Sequence, residues 1–272
     1  MWPRRDGGPL VNASPLWVVK LGGSLLEDSS LRSSALEAVA AAATKGGRIV
    51  VVHGGGKEID RNLAALGIPK RTQGGLRVTD GRTLDVVVAV LTGTVNKSLV
   101  GQLEERGVRS AGFCGADGET LWAEYHAPVD GVDLGYVGRV TRCRTTLVEA
   151  VLGAGLLPVI ASVAVGREGV LLNVNADSAA SALAASLRAS RLVFLTDVEG
   201  VLDASGRVVE RLTASAAREL LDSPAVSGGM RPKLQSCLEA LAAGVGEVVV
   251  AGPGRHATVL SDGIGGTHLV AA

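Results

Sequence analysis

The segments Val18-Val19-Lys20-Leu21-Gly22-Gly23-Ser24 and Ile49-Val50-Val51-Val52-His53-Gly54-Gly55-Gly56 predict how this chain folds. Each is an apolar run typical of a buried strand, and each leads directly into glycines. Glycines let backbone N–H groups approach an anion closely, and the lysine within the first run supplies a positive charge beside them. The two segments therefore predict a site for phosphate and carboxylate groups at the ends of parallel strands.

Strands and helices alternate along the rest of the chain. Strands are predicted over residues 16–21, 48–52, 108–113, 156–161, 171–174, 191–196, 247–251 and 268–270, with hairpin arms at 121–125 and 136–142. Helices are predicted over residues 31–44, 58–66, 84–103, 146–152, 178–187 and 234–241. This alternation, with strands apolar on both faces, indicates an α/β fold, a three-layer αβα sandwich with a mostly parallel central sheet. Two lobes, residues 1–175 and 176–272, are expected to share that sheet.

The composition excludes several classes of protein. The chain has 272 residues, a formal net charge of zero and 3% aromatic residues, which excludes the basic and aromatic surfaces that bind nucleic acid. Its three cysteines are too scattered for a disulfide framework or a structural zinc site. No apolar stretch of membrane-spanning length is free of glycine or charge, and the first residues lack the apolar core of a signal peptide. We expect a soluble, cytoplasmic protein with no nucleic-acid or membrane partner.

Lys20 and the triple glycine are the strongest functional candidates. A lysine inside an apolar strand is costly to bury unless it is paired, and at the carboxyl end of a parallel strand it faces the usual ligand crevice. The alternative is an edge lysine that reaches water. A tight turn alone would explain one or two of the three glycines. The segment is not a P-loop, because Lys57-Glu58 replaces Lys-Ser/Thr, and it lacks the final glycine of G-x-G-x-x-G.

Two further segments carry groups suited to binding a carboxylate. Gly74-Gly75-Leu76-Arg77-Val78-Thr79-Asp80 places an arginine beside glycines, and arginine can grip a carboxylate with two hydrogen bonds. Alone, this arginine would be an ordinary surface residue, unless the fold brings it beside the triple glycine. Asn173-Val174-Asn175-Ala176-Asp177-Ser178 joins a strand to a helix. Asn175 or Asp177 could simply cap that helix, at a place where phosphate groups often bind.

The last third of the chain offers two candidate nucleotide contacts. Thr196-Asp197-Val198-Glu199-Gly200 follows a strand and could hold a ribose or an adenine edge, or could be an acidic turn. Gly228-Gly229-Met230-Arg231-Pro232-Lys233 opens a helix. Lys233 would lie near the positive end of the helix dipole, which is unfavourable unless an anion binds there. A solvated lysine is the alternative. No histidine has a partner at metal-ligand spacing, so we expect no protein-bound metal.

Taken in order, these motifs resemble those of the amino acid kinase family, and within it the members that phosphorylate N-acetyl-L-glutamate. The resemblance extends from about Val18 to the end of the chain. Gly-Leu-Arg-Val-Thr and Asn-Val-Asn-Ala-Asp are the more specific motifs, whereas Lys-x-Gly-Gly-Ser and Gly-Gly-Met-x-x-Lys are shared more widely. The resemblance implies ATP-dependent transfer of phosphate to the side-chain carboxylate, giving N-acetylglutamyl 5-phosphate for arginine (ornithine) biosynthesis.

The resemblance also implies a role for each motif. Residues 1–175, which include a dimerisation helix, would hold the acyl amino acid, and residues 176–272 would hold ATP. Lys20 and Lys233 would neutralise the moving phosphoryl group, and Asp177 would orient both. The implied binding residues are Gly54 and Gly55 for the reacting carboxylate, Arg77 and Asn173 for the α-carboxylate, Gly22 and Gly23 for the phosphates, and Thr196 and Asp197 for the nucleotide. Mg²⁺ would arrive with ATP, and the chain would form a homodimer.

Two alternatives stay open. One is a kinase for an aminoadipate derivative in lysine biosynthesis, and the other is a non-catalytic amino-acid sensor on the same fold. Arg77 followed by Val-Thr-Asp favours N-acetylglutamate, and retention of both lysines opposes a sensor. Lys57 departs from the family pattern of an uncharged residue and would alter the charge near the substrate. Only 15 residues precede the first strand, and their prolines and glycines oppose a helix. We therefore expect a dimer without strong inhibition by arginine, rather than a hexamer.

Overall fold

The computed structural model describes residues 15–203, 205–222, 230–261, 263 and 265–271. Residues 1–14, for which no helix is expected, and Gly228 and Gly229 of the segment predicted to open a helix lie outside these ranges.

Fourteen strands and ten α-helices are found in the described residues. The strands are β1 Leu16–Leu21, β2 Arg48–His53, β3 Thr72–Gln73, β4 Leu76–Arg77, β5 Ser110–Cys114, β6 Trp122–Tyr125, β7 Val137–Arg142, β8 Leu157–Ala161, β9 Val163–Val165, β10 Leu171–Val174, β11 Arg191–Leu195, β12 Arg211–Thr213, β13 Glu247–Ala251 and β14 Thr267–Val270. The helices are α1 Gly23–Glu27, α2 Ser29–Thr44, α3 Gly56–Ala65, α4 Gly81–Val88, α5 Asn96–Glu105, α6 Thr146–Gly153, α7 Ala176–Ser186, α8 Ala214–Asp222, α9 Met230–Ala242 and α10 His256–Val259.

Eight strands form the central sheet in the order β12-β14-β13-β11-β1-β2-β8-β5. The six strands from β13 to β5 are parallel neighbours, whereas β14 is antiparallel to β13 and pairs in parallel with β12. Strand β1 lies in the middle, between β2 from the first part of the chain and β11 from the last. The predicted mostly parallel sheet, continuous through both lobes, is confirmed.

Side chains along β1 and β2 point alternately to the two faces of the sheet, and both faces are buried. Val18 and Val50 pack in one cluster with side chains of α7 and α9, such as Leu183 and Leu234. Val19, Val51 and other residues of the opposite parity pack in a second cluster with α2 and α5, including Leu36 and Leu99. Because side chains two residues apart share a face of a strand, Lys20 points to the same side as Val18, which is the side of α7. The predicted three-layer sandwich is confirmed.

A small barrel and a hairpin lie at the edge of the sheet where the glycine loops emerge. Strands β10, β7, β6 and β9 close into a four-stranded barrel, and β6 pairs with β7 in antiparallel fashion as the hairpin prediction required. Strands β3 and β4 pair as a two-stranded hairpin that carries Arg77. Strand β9 and the β3–β4 hairpin were not predicted, because runs of two or three residues are too short to show a periodic pattern.

The predicted long amphipathic helix is present as a continuous helical stretch, Gly81–Glu105, in which a π-helical segment, Ala89–Val95, joins α4 to α5. Its length and its mean hydropathy of 1.4 would also suit a membrane span, a test that core helices of soluble proteins pass as well. Here one side of it packs against α3, β5 and β8. The strand that follows begins at Ser110 instead of 108, because the N–H of Val108 donates to Leu103 O in the turn that ends the helix.

Candidate functional site

Neighbouring strands bring the two glycine segments together. In the parallel pairing of β1 with β2, Lys20 lies opposite Val52 and Leu21 opposite His53. The chain therefore leaves both strands at the same edge of the sheet, into Gly22-Gly23 on one side and Gly54-Gly55 on the other. This edge is the carboxyl end of a parallel sheet, where open α/β folds bind their ligands.

Lys20, Asp177 and Lys233 form a buried charge cluster at that edge. The Lys20 ammonium lies 2.6 Å from Asp177 Oδ1, and that of Lys233 lies 3.1 Å from Asp177 Oδ2. All three side chains are at most 15% exposed. Burial alone would raise the pKa of Asp177, but the two lysines outweigh burial and lower it to about 2. Burial, together with the charge of Lys233, lowers the pKa of Lys20 in spite of Asp177. The cluster carries two positive charges and one negative, so it favours an incoming anion.

Asn175, and not Asp177, caps helix α7, so the Asp177 carboxylate can pair with the two lysines. The Asn175 side chain caps α7, accepting hydrogen bonds from the N–H groups of Asp177 at 2.8 Å and Ser178 at 3.1 Å. Of the two caps that the sequence allowed, the structure uses Asn175. The carboxylate of Asp177, in the first turn of the helix, therefore remains available to the lysines.

A cavity of about 250 Å³ opens beside this cluster. Its lining contains predicted residues from every motif of the first lobe as well as Asp177. These lining residues are Lys20, Gly23, Gly54, Gly55, Arg77, Asn173 and Asp177, joined by Gly56, Ile59, Gly75, Leu76, Leu91, Val137, Ser162, Val174, Asn175 and Ala176. Residues that lie up to 157 positions apart in the sequence, such as Lys20 and Asp177, thus surround one space. Arg77 lies beside the triple glycine in this lining, which is the arrangement required for it to act as a binding residue instead of an ordinary surface residue.

Arg77 is held in place through one of its two terminal guanidinium nitrogens. Its side chain is 11% exposed, and Nη2 donates to Gly56 O at 3.0 Å and to the carboxylate of Asp60. Within the described residues, the buried Nη1 has no hydrogen-bond partner. Asn173 donates from Nδ2 to Thr79 Oγ1 at 3.1 Å. A residue that lines a cavity and carries a buried guanidinium nitrogen without an acceptor suits a carboxylate ligand.

Of the residues predicted to hold the nucleotide, Thr196 and Asp197 follow β11, which lies on the opposite side of β1 from β2. Thr196 is buried, and its hydroxyl donates to Asp197 Oδ1 at 3.0 Å. Burial opposes the charged form of Asp197, yet hydrogen bonds from Ser24 and Thr196 and the charge of Lys233 lower its pKa. The N–H of Gly22 already donates to Leu195 O at 2.9 Å, so in this structure it is not the free phosphate donor that was expected. The neighbouring Gly23 lines the cavity.

Sequence reasoning missed several polar residues of the site. Ser162 lines the cavity, and Thr79 is fully buried beneath Asn173. His53 and Asn96 are also fully buried, directly behind the triple glycine. A signal for Asn96 was present in the sequence, since it is a polar residue on the apolar face of a long helix. Lys57, which the sequence placed near the substrate, is 64% exposed and pairs with Glu27 at 2.5 Å.

Comparison with known sequences agrees with this geometry. A sequence model of the amino acid kinase family matches residues 15–252. An acetylglutamate kinase from Agrobacterium fabrum is 41% identical over 253 residues, covering 89% of this chain and 86% of that protein. One from Solibacter usitatus is 43% identical over 258 residues, covering 94% of this chain and 99% of that protein.

Solved structures show the same architecture. The N-acetylglutamate synthase from Neisseria gonorrhoeae in complex with coenzyme A and N-acetyl-glutamate has a TM-score of 0.81 at 27% identity, over 95% of this chain and 60% of that one. A structure from Streptococcus mutans UA159 has a TM-score of 0.78 at 31% identity, over 94% of this chain and 99% of that one. Since the family pattern spans most of the sequence and the solved structures share its fold, this chain belongs to the amino acid kinase family.

Proposed function

We propose that this chain phosphorylates the side-chain carboxylate of N-acetyl-L-glutamate with ATP, giving N-acetylglutamyl 5-phosphate for arginine (ornithine) biosynthesis. One observation carries the proposal: two buried ammonium groups share Asp177 at the wall of a cavity that Arg77 also lines, and among the described residues Nη1 of Arg77 has no hydrogen-bond partner. The names of the relatives at about 40% identity support the same activity.

The arrangement suits transfer of a phosphoryl group to a carboxylate. A carboxylate is already ionised near neutral pH, so the reaction requires no general base. The main obstacle is repulsion between the carboxylate and the anionic γ-phosphate. Lys20 and Lys233 reduce that repulsion and stabilise the charge that spreads over the phosphoryl oxygens in the transition state. Asp177 fixes the position of both ammonium groups, which keeps the reacting groups in line.

The other site residues bind the amino acid and ATP in this proposal. Gly54 and Gly55 hold the reacting carboxylate through backbone N–H groups, while Arg77 and Asn173 hold the α-carboxylate. The first lobe, residues 1–175, binds the amino acid, and residues 176–272 bind ATP with Gly23, Thr196 and Asp197 near the phosphates and nucleoside. No group of three or more metal-ligating side chains is found within the described ranges. We therefore propose that Mg²⁺ enters coordinated to the phosphates of ATP, which is its usual mode of binding.

We also propose that the chain works as a cytoplasmic homodimer. Only 33% of the most apolar window of the Gly81–Glu105 helix is buried within the chain, which leaves apolar surface for a second copy. The three cysteines are free, as expected in a reducing compartment. Light scattering tests the assembly. A mass of two chains is expected, and a monomer or a hexamer would contradict it.

The activity is tested by trapping the product. Incubation with ATP, Mg²⁺ and N-acetyl-L-glutamate in the presence of hydroxylamine should give a hydroxamate, because acyl phosphates react with that nucleophile. N-acetyl-L-aminoadipate is the matched control substrate, one methylene longer. A higher kcat/KM for the longer substrate would assign the chain to the aminoadipate branch. No hydroxamate with any acyl amino acid would favour the sensor.

A further inference from the structure

Behind the triple glycine lies a buried polar network that the reaction described above does not use. His53, the last residue of β2, and Asn96, the first residue of α5, are both fully buried. The ring nitrogen Nδ1 of His53 lies 2.9 Å from Gly54 O, and Nε2 lies 3.0 Å from Asn96 Nδ2. One imidazole thus joins the substrate loop to the long helix.

The contacts of Asn96 determine which ring nitrogen carries the hydrogen. Lys97 Nζ donates to Asn96 Oδ1 at 3.1 Å, and an ammonium can only donate, so this atom is the amide oxygen. Asn96 Nδ2 lies near three acceptors, Val159 O at 2.9 Å, His53 Nε2 at 3.0 Å and Phe113 O at 3.3 Å. An amide nitrogen does not accept a hydrogen bond, and the Gly54 carbonyl beside Nδ1 does not donate one. Nε2 must therefore be the acceptor, and the hydrogen resides on Nδ1. Burial, aided by the charge of Lys97, lowers the pKa of His53 to about 4, which keeps the ring neutral near pH 7.

We propose that His53 is a positioning residue: its Nδ1–H holds the Gly54 carbonyl and thereby turns the N–H of Gly55 toward the substrate cavity. In a planar trans peptide, the carbonyl of one residue and the N–H of the next point in opposite directions. Fixing the Gly54 carbonyl against the ring therefore aims the Gly55 N–H away from the ring, and Gly55 is a residue that lines the cavity. The inference rests on the proposed function, in which that N–H binds the reacting carboxylate.

The surrounding packing holds the network in place. A Cβ on Gly112 would lie 2.0 Å from Asn96 Oδ1, so strand β5 requires glycine there to admit the amide. A Cβ on Gly55 would lie 2.9 Å from Leu91 Cδ2 and 3.1 Å from Val95 Cγ2, two residues of the π-helical segment. The π-helical segment therefore packs directly on the loop and leads into Asn96. Such segments often occur where a helix must present particular side chains to a site.

Two substitutions of His53 separate positioning from simple packing. The amide nitrogen of Asn can replace Nδ1, so His53→Asn keeps a donor for the Gly54 carbonyl. The amide oxygen of Gln can replace Nε2, so His53→Gln keeps the contact with Asn96 and loses that donor. We expect kcat to fall at least tenfold in His53→Gln and no more than about threefold in His53→Asn, since loss of a preorganised N–H donor costs about a hundredfold or more. KM for ATP should stay unchanged in both.

Thermal unfolding of both variants controls for stability, and rates are compared well below both melting temperatures. Equal losses of kcat in the two variants would overturn the proposal, because packing alone would then explain the effect. A second measurement does not depend on activity. In ¹⁵N-histidine spectra of the wild-type protein, His53 should show the Nδ1–H tautomer, which is the minor form of free imidazole. An Nε2–H tautomer would refute the inference even if the kinase is active. Observation of Nδ1–H in a protein without kinase activity would refute the proposed function and retain the hydrogen-bond assignment.

Discussion

Replacing Asp177 by Asn should lower both the stability and the activity of this chain. The substitution keeps the shape of the side chain but leaves two buried ammonium groups, of Lys20 and Lys233, without their counter-charge. At an effective dielectric constant of about 20, contacts of 2.6 and 3.1 Å each correspond to about 5–6 kcal/mol of attraction before desolvation. Because desolvation offsets much of this, the net cost of removing one partner of a buried pair is about 3–5 kcal/mol.

Urea unfolding monitored by circular dichroism would measure this cost. We expect the free energy of unfolding of Asp177→Asn to fall by about 3–5 kcal/mol. Because the remaining positive charges attract anions, ATP should stabilise the variant more than the wild type. Activity should fall sharply even at saturating ATP, since the ammonium groups are no longer held in position.

Glu124→Gln is the matched control for Asp177→Asn. Glu124 is 54% exposed and lies 3.7 Å from Arg139, so the same chemical change at this surface pair should cost less than about 1 kcal/mol. If Asp177→Asn unfolds at the same urea concentration as the wild type, the ion cluster does not contribute to stability. The electrostatic account of the site would then be refuted.

Three further predictions follow from the same geometry. Lys20→Ala and Lys233→Ala should each lower kcat by about a hundredfold or more, with smaller effects on KM. Lys57→Ala, at an exposed position, is the control and should leave kcat unchanged. Unchanged kcat in both buried variants would contradict the assigned roles. Arg77→Ala should mainly raise KM for the amino acid, about tenfold or more, and initial rates against N-acetyl-L-glutamate would measure it. Stability should decrease as the pH falls from 6.5 toward 4, because the pKa of His53 is lowered to about 4 and the unfolded chain takes up the proton first. Protonation of His53 accounts for a loss of about 3 kcal/mol in the free energy of unfolding over this pH range. In urea titrations of His53→Asn, the change in the free energy of unfolding with pH should be smaller by that amount.

Local sequence was sufficient for the elements with a strong pattern. Strand β1 begins and ends where the apolar run predicted, and the glycine loops after β1 and β2 meet at one edge because the strands are parallel neighbours. Strands β6, β7 and β10 of the small barrel lie within one residue of the predicted bounds, whereas β9 and the β3–β4 hairpin were not predicted. Their boundaries depend on pairing with distant strands, and pairing across the fold leaves little periodic signal in so few residues.

The sequence by itself determined the family of motifs, the parallel sheet and the face of β1 from which Lys20 emerges, since these depend on the two-residue period of a strand and on glycines within a few positions of it. Tertiary structure alone decided that Asn175 and not Asp177 caps α7, and that Lys233, 56 residues further on, completes the pair with Lys20. It also decided that His53 meets Asn96. Contacts of this kind depend on how helices pack across the sheet, and the local propensities of a sequence carry no information about which distant side chains meet.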